Sequence, residues 1–197
     1  MRVAGIDCGT NSIRLLIADV PGDDQPLEDV VRRMEVARLG QGVDRTGQFD
    51  PQALERTLRF VDEYGDQCRE HGVESIRFAA TSATRDASNR DLFLDGVKER
   101  LGVDVQVLSG DEEARASFEG ATSVLGGSTQ EPFLTVDLGG GSTELVLGLN
   151  DGTILGAASM DVGCVRMRER HFEHDPVSEE EVAAARAHHR SARRPGE

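Results

Sequence analysis

Two short stretches carry residues suited to phosphate and metal chemistry: Asp137-Leu-Gly-Gly-Gly-Ser-Thr-Glu144 and Asp7-Cys-Gly-Thr-Asn-Ser12. Three consecutive glycines, 139–141, strip every side chain from the turn. Backbone N–H groups can then approach an anion closely, and Ser142 and Thr143 add hydroxyl donors. Asp137 and Glu144 set a carboxylate on either side of that turn. Carboxylate oxygens in such a setting suit Mg2+ or a similar hard cation shared with a phosphate. The first stretch follows the same logic, with Asp7 as the acid and Thr10, Asn11 and Ser12 as donors. Taken singly, either stretch also reads as a tight β-turn with solvated acids. The pair is more specific, because both acids end an apolar run and they stand 130 positions apart.

The elements that must position these loops follow from periodicity. Arg2 to Asp7 and Ser12 to Val20 read as two strands of a hairpin, and Val30 to Leu39 as a third strand. Asp50-Pro51 opens a helix that runs to Gly72, with Leu54, Leu58 and Val61 at helical spacing. Ser75 to Thr81 and Val103 to Leu108 read as strands, and Asn89 as the cap of a helix carrying Leu94, Val97 and Leu101. Ser109 with Glu112 has capping-box spacing, and the helix behind it aligns Ala114, Ser117, Phe118, Ala121 and Leu125. After a Gly/Ser/Thr-rich stretch at 126–132 the opening grammar returns: strand 133–137, glycine turn, strand 143–149, strand 153–160, then a helix over 162–172. This echo predicts two related βββα units facing each other, divided as 1–126 and 127–197.

Composition is that of a globular chain: 197 residues, 38% hydrophobic and 29% charged. The net charge of −14 argues against nucleic acid or an anionic membrane as partner, and it opposes any polyanionic ligand unless a metal or a local basic group intervenes. Cys8, Cys68 and Cys164 form no CxxC pair, and no run is long and apolar enough to span a membrane. A cytoplasmic location is the expectation. His171, His174, His188 and His189 read as a solvated helix face rather than a zinc site.

Four segments occur in one order: DCGTNSIRLLIAD, ATSATRDASN, VLSGDEEARASFEGA and VDLGGGSTELVLG. In this the chain resembles the exopolyphosphatase/guanosine pentaphosphate phosphohydrolase family, in its shorter form, from Met1 to about Asp175. The resemblance implies an actin-like (ribonuclease H-like) α/β fold of duplicated βββαβα units. It implies Mg2+ as cofactor, and inorganic polyphosphate or guanosine pentaphosphate as substrate. Glu113 matches the catalytic base; by spacing alone Glu112 and Glu113 both read as ordinary helix-start acids. Arg85 matches a basic phosphate contact with a catalytic part. Asn11, Ser12, Gly140, Gly141, Ser142 and Thr143 match phosphate-holding positions. Asp137 and Glu144 match the acids linked to the metal, and Asp7 matches the first-loop acid, placed to orient a water of the metal. A homodimer is among the assemblies the resemblance implies.

Family members continue further than this chain, and HHRSARRPGE is unlike their continuation. The expectation is a chain cut short or shifted in frame, with the first domain complete and the second incomplete, leaving a sheet edge and apolar surface uncovered. Two rival functions stand beside hydrolysis: binding of polyphosphate or a nucleotide alarmone without turnover, and an actin-like phosphotransferase or ATPase.

Overall fold

The computed structural model describes residues 1–22, 25–123 and 130–192. The chain forms two compact units, Met1–Val107 and Leu108–Glu197. The boundary expected at 126/127 and the expected face residue Leu125 fall on residues 124–129, outside the described residues.

The first unit opens with β1 (Arg2–Cys8), β2 (Ile13–Asp19) and β3 (Glu28–Glu35), an antiparallel meander. Ala4, Ile6 and Cys8 of β1 and Ile13, Leu15 and Ile17 of β2 are buried in alternation, so one face of the meander forms the core. A short helix α1 (Val43–Thr46) leads to α2 (Pro51–Glu70). Asp50 caps α2, its carboxylate accepting from the amides of Gln52 and Ala53, with Pro51 at the first helical position. Ala53, Thr57, Val61, Tyr64 and Cys68 recur at helical spacing and are buried, and the Tyr64 hydroxyl donates to the Ile13 carbonyl at 3.0 Å. Gly65 stands in this helix because a Cβ there would meet Leu101 Cδ2 at 2.8 Å.

β4 (Ser75–Ala80) returns parallel to β1, and β5 (Val105–Val107) parallel to β4, giving the order β3-β2-β1-β4-β5. Between them lie α3 (Ser82–Asp86) and α4 (Asp91–Leu101). Asn89 does not cap α4. Its amide instead bridges Phe49, accepting from the Phe49 N–H at 2.8 Å and donating to its carbonyl at 3.2 Å. The competing backbone partner wins because Phe49 is locked in the core by edge-to-face contact with Phe93, itself edge-on to Phe78.

The second unit holds α5 (Gly110–Thr122) and an antiparallel sheet of β6 (Phe133–Leu138), β7 (Thr143–Gly148) and β8 (Ile154–Met160). α5 packs across that sheet through Ala114 and Phe118 against Val146, Phe133 and Ile154. On β6 the alternate residues Leu134, Val136 and Leu138 are exposed, and among the described residues β6 pairs with β7 only. An uncovered edge and apolar face were expected of this unit. Two helices follow, α6 (Cys164–His171) and α7 (Glu179–Ala192). His171 and His188 are not a solvated face: their rings meet between these helices, Nε2 to Nδ1 at 2.9 Å.

Candidate active site

The second unit brings most of the anticipated chemistry onto one sheet face. Antiparallel register sets Asp137 opposite Glu144 and Glu144 opposite Ser159, one row across three strands. The capped start of α5 lies over this row. A Cβ at Gly110 would touch Ser159 Oγ at 2.8 Å, so the helix begins on β8. The Ser117 hydroxyl, two turns on, donates to Asp137 Oδ2 at 2.7 Å, so it ends on β6. Glu113 lies between them on the same helical face, above Glu144.

Electrostatics agree with that placement. Glu144 is 1% exposed, and its carboxyl is held above the usual carboxylate range by burial first and by the Glu113 charge second. The Asp137 charge adds to this, while hydrogen bonds from Ser142 and Ser159, the latter at 3.0 Å, oppose it. Three carboxylates thus crowd a partly dry face. Glu112 is not one of them. It accepts from the Ser109 amide and hydroxyl at 2.8 Å, closing the capping box, and those bonds hold its carboxyl low. Of the two adjacent acids, Glu112 is engaged by the cap.

The triglycine turn is closed by the Gly139 amide donating to the Ser142 carbonyl at 3.0 Å. The amides of Gly140 and Gly141 have no acceptor among the described residues. Ser142 and Thr143 are buried, and their hydroxyls serve the protein. Ser142 bonds Glu144, and Thr143 donates to the Val162 carbonyl.

The first unit repeats this turn. The Gly9 amide donates to the Ser12 carbonyl at 2.9 Å, matching Gly139 and Ser142 at an offset of 130. The acids then diverge. Asp7 faces Arg14 across the hairpin, 3.6 Å from its guanidinium, where the second unit has Asp137 facing Glu144. Asn11 and Ser12 are partly exposed, and Thr10 Oγ1 bonds Ser82 Oγ at 2.9 Å, tying the loop to α3. Arg85 sits on α3, partly exposed, one turn from that tie. Cys8 is buried, and burial followed by the Asp7 charge pushes its thiol well above the usual range, so it is a core residue and not a nucleophile.

Among the described residues, no group of three or more His, Cys, Asp and Glu side chains forms a ready metal cage. Mg2+ does not need one. It binds through one or two carboxylates, keeping waters and substrate oxygens, and the all-oxygen pair Asp137 and Glu144 beside Glu113 is a donor set of that kind. No described helix is long and apolar enough to cross a membrane. Sequence reasoning missed Ser117 and Ser159; their only signal was position, one on the core-facing side of α5, the other in the β8 register.

An α/β sheet repeated with the same acid-ended glycine hairpin defines the actin-like class. The chain belongs to the Ppx/GppA phosphatase family, whose profile matches residues 16–194. It is 48% identical over 192 residues to exopolyphosphatase 2 of Mycobacterium tuberculosis, covering 94% of this chain and 59% of that protein. It is 36% identical over 183 residues to guanosine-5'-triphosphate,3'-diphosphate pyrophosphatase of Pseudoalteromonas atlantica, covering 92% of this chain and 35% of that one. The crystal structure of an exopolyphosphatase-like protein superposes with a TM-score of 0.90 at 47% identity, over 97% of this chain and 61% of the other. The chain therefore spans about three fifths of the first relatives it matches.

Proposed function

We propose that this chain carries a Mg2+-assisted phosphohydrolase site that releases terminal orthophosphate from inorganic polyphosphate, with guanosine pentaphosphate as a second substrate. The observation that carries the reading is the Asp137–Glu144–Ser159 row lying under Glu113 of α5. The names of the relatives, an exopolyphosphatase and a guanosine pentaphosphate pyrophosphatase, supply the two substrates.

Each residue then has a physical task. Glu113 orients a water and takes its proton as the oxygen attacks the terminal phosphorus. Its place in the first turn of α5 sets it where the helix dipole favours negative charge. Asp137 and Glu144 would hold the cation, which when bound neutralises phosphoryl charge that a −14 chain otherwise repels. Ser117 and Ser159 fix the rotamers of those two acids. The Gly140 and Gly141 amides receive phosphoryl oxygens, stabilising charge that grows as the leaving phosphate departs. In the first unit Asn11, Ser12 and Arg85 are the proposed phosphate contacts, the Arg85 fork offering paired donors. Asp7, held by Arg14, orders water beside the first loop. Such a protein works in the cytoplasm.

The test is orthophosphate release from polyphosphate with Mg2+, run on this chain and on one extended to family length. Glu113→Gln should lower turnover by about 100-fold or more while Mg2+-dependent substrate binding persists. Full activity in that variant would remove Glu113 from its role. Saturable binding with no release from either chain would favour a binding protein, and tight ATP binding a phosphotransferase.

A further inference from the structure

The triglycine turn does not stand by itself. α6 begins against it, and the first-turn amides of α6, which have no partner inside their own helix, donate to its carbonyls. The Cys164 amide donates to the Gly139 carbonyl at 3.0 Å, Val165 to Gly140 at 2.9 Å, and Arg166 to Gly140 at 3.0 Å. The Arg166 side chain completes the set, its Nε donating to the Gly141 carbonyl at 2.8 Å. Every carbonyl of the three glycines is thus engaged from one side.

Gly163, the residue preceding α6, is what lets the helix come so close. A Cβ there would lie 2.4 Å from the carbonyl carbon and oxygen of Gly140 and 2.5 Å from the Gly141 nitrogen. Those are backbone atoms and cannot swing away. Its φ of −132° is open to any residue, so the requirement is space and not conformation. The first unit uses the same device in a plainer form. After β3, the Arg38 amide donates to the Asn11 carbonyl at 2.8 Å and the Gly40 amide to the Thr10 carbonyl at 2.9 Å. A Cβ at Gly40 would meet Thr10 Cγ2 at 2.3 Å. In both units the segment after the third strand locks the carbonyls of the glycine hairpin.

From this we infer that Gly163 and Arg166 are positioning residues for the triglycine turn. Each carbonyl shares a peptide plane with the next residue's N–H, so the α6 amides hold the Gly140 and Gly141 amides, and the Arg166 side chain the Ser142 amide, in the orientation that receives a phosphoryl oxygen. The inference rests on the proposed phosphate role of that turn, and it extends the site to a segment 20 or more positions beyond it in sequence.

Two measurements on the whole chain test it. The first needs no ligand. In Arg166→Gln the Gly141 and Ser142 amide resonances, which flank the freed Gly141 carbonyl, should shift, with helix content unchanged. Gly163→Ala should do the same more strongly, and Arg166→Lys, whose ammonium can still reach the Gly141 carbonyl, should recover part of the parent pattern. Unchanged glycine resonances in both Gly163→Ala and Arg166→Gln would overturn the inference. The second measurement is calorimetric binding of tripolyphosphate with Mg2+. Arg166→Gln should weaken it by roughly tenfold, the scale of one or two hydrogen bonds, with kcat falling less than KM rises. Parent-like binding in both variants would also overturn the inference. If the parent itself fails to bind while the glycine resonances move in the variants, the clamp stands and the proposed function falls.

Discussion

Phe118 decides whether α5 stays on its sheet, and Phe118→Ala is the change to make. The ring is wholly buried in a cluster whose other buried members, among the described residues, are Ala114 and Val146, with Phe133 and Ile154 at its margin. It stacks on Phe133 at 6.0 Å and rests on the Gly148 backbone, where a Cβ would meet its Cζ at 2.4 Å. Removing a buried Phe costs about 3–5 kcal/mol through lost transfer energy and the cavity left behind. A unit of about 90 residues has a total stability of roughly 4–13 kcal/mol. The loss is therefore about a quarter or more of what holds the second unit, and it falls on the helix that carries Glu113 and Ser117. Urea unfolding followed by circular dichroism should show a lower midpoint for part of the signal. Gly148→Ala sharpens the test. In the parent its methyl group is forced into the ring, at about 1–3 kcal/mol. With Phe118→Ala that clash is gone and the methyl enters the cavity, although Thr153 O still stands 2.7 Å from it. The double variant should lose at least about 1 kcal/mol less than the sum of the singles. A single-variant loss below about 1 kcal/mol, or strict additivity, would refute the assigned packing.

Glu144→Gln should stabilise the metal-free protein while abolishing Mg2+ activation. The folded chain keeps the Glu144 proton to higher pH than the unfolded chain does, so it binds more protons and loses stability as pH rises from the ordinary glutamate value of 4.5. The variant should melt higher than the parent at pH 7 in a chelator, the gap closing below pH 4.5; an equal gap at every pH would contradict the buried charge. Ser117→Ala removes the 2.7 Å donor from Asp137 and should weaken Mg2+ activation by about 10-fold, read as the Mg2+ concentration at half-maximal phosphate release; an unchanged value would make Ser117 a packing residue only.

Much of the frame was legible because its causes are local. Alternation at Ala4, Ile6 and Cys8 and at Ile13, Leu15 and Ile17 wrote the first hairpin. Asp50-Pro51 wrote the start of α2, and Ser109 with Glu112 wrote the capping box. Asn89 misled because its side chain had a tertiary choice, and the Phe49 backbone was the better partner. The histidines misled for the same reason: helical spacing puts His171 and His188 on surfaces, but only the docking of α7 on α6 turns those surfaces toward each other.

By itself the sequence determined the two acid-ended glycine hairpins, their 130-residue repeat and the family they mark, since a turn and its flanking strands are set by nearest neighbours. Tertiary structure alone decided which acids lie together. Register across β6, β7 and β8 aligned Asp137, Glu144 and Ser159, and the crossing of α5 brought Glu113 over them. It also gave the two hairpins different chemistry, an ion pair at Asp7 and Arg14 against a carboxylate pair at Asp137 and Glu144 of which Glu144 is buried. Finally, it placed Gly163 and Arg166 behind the triglycine turn. These are contacts between residues distant in the chain, and spacing along a sequence carries no information on which faces will meet.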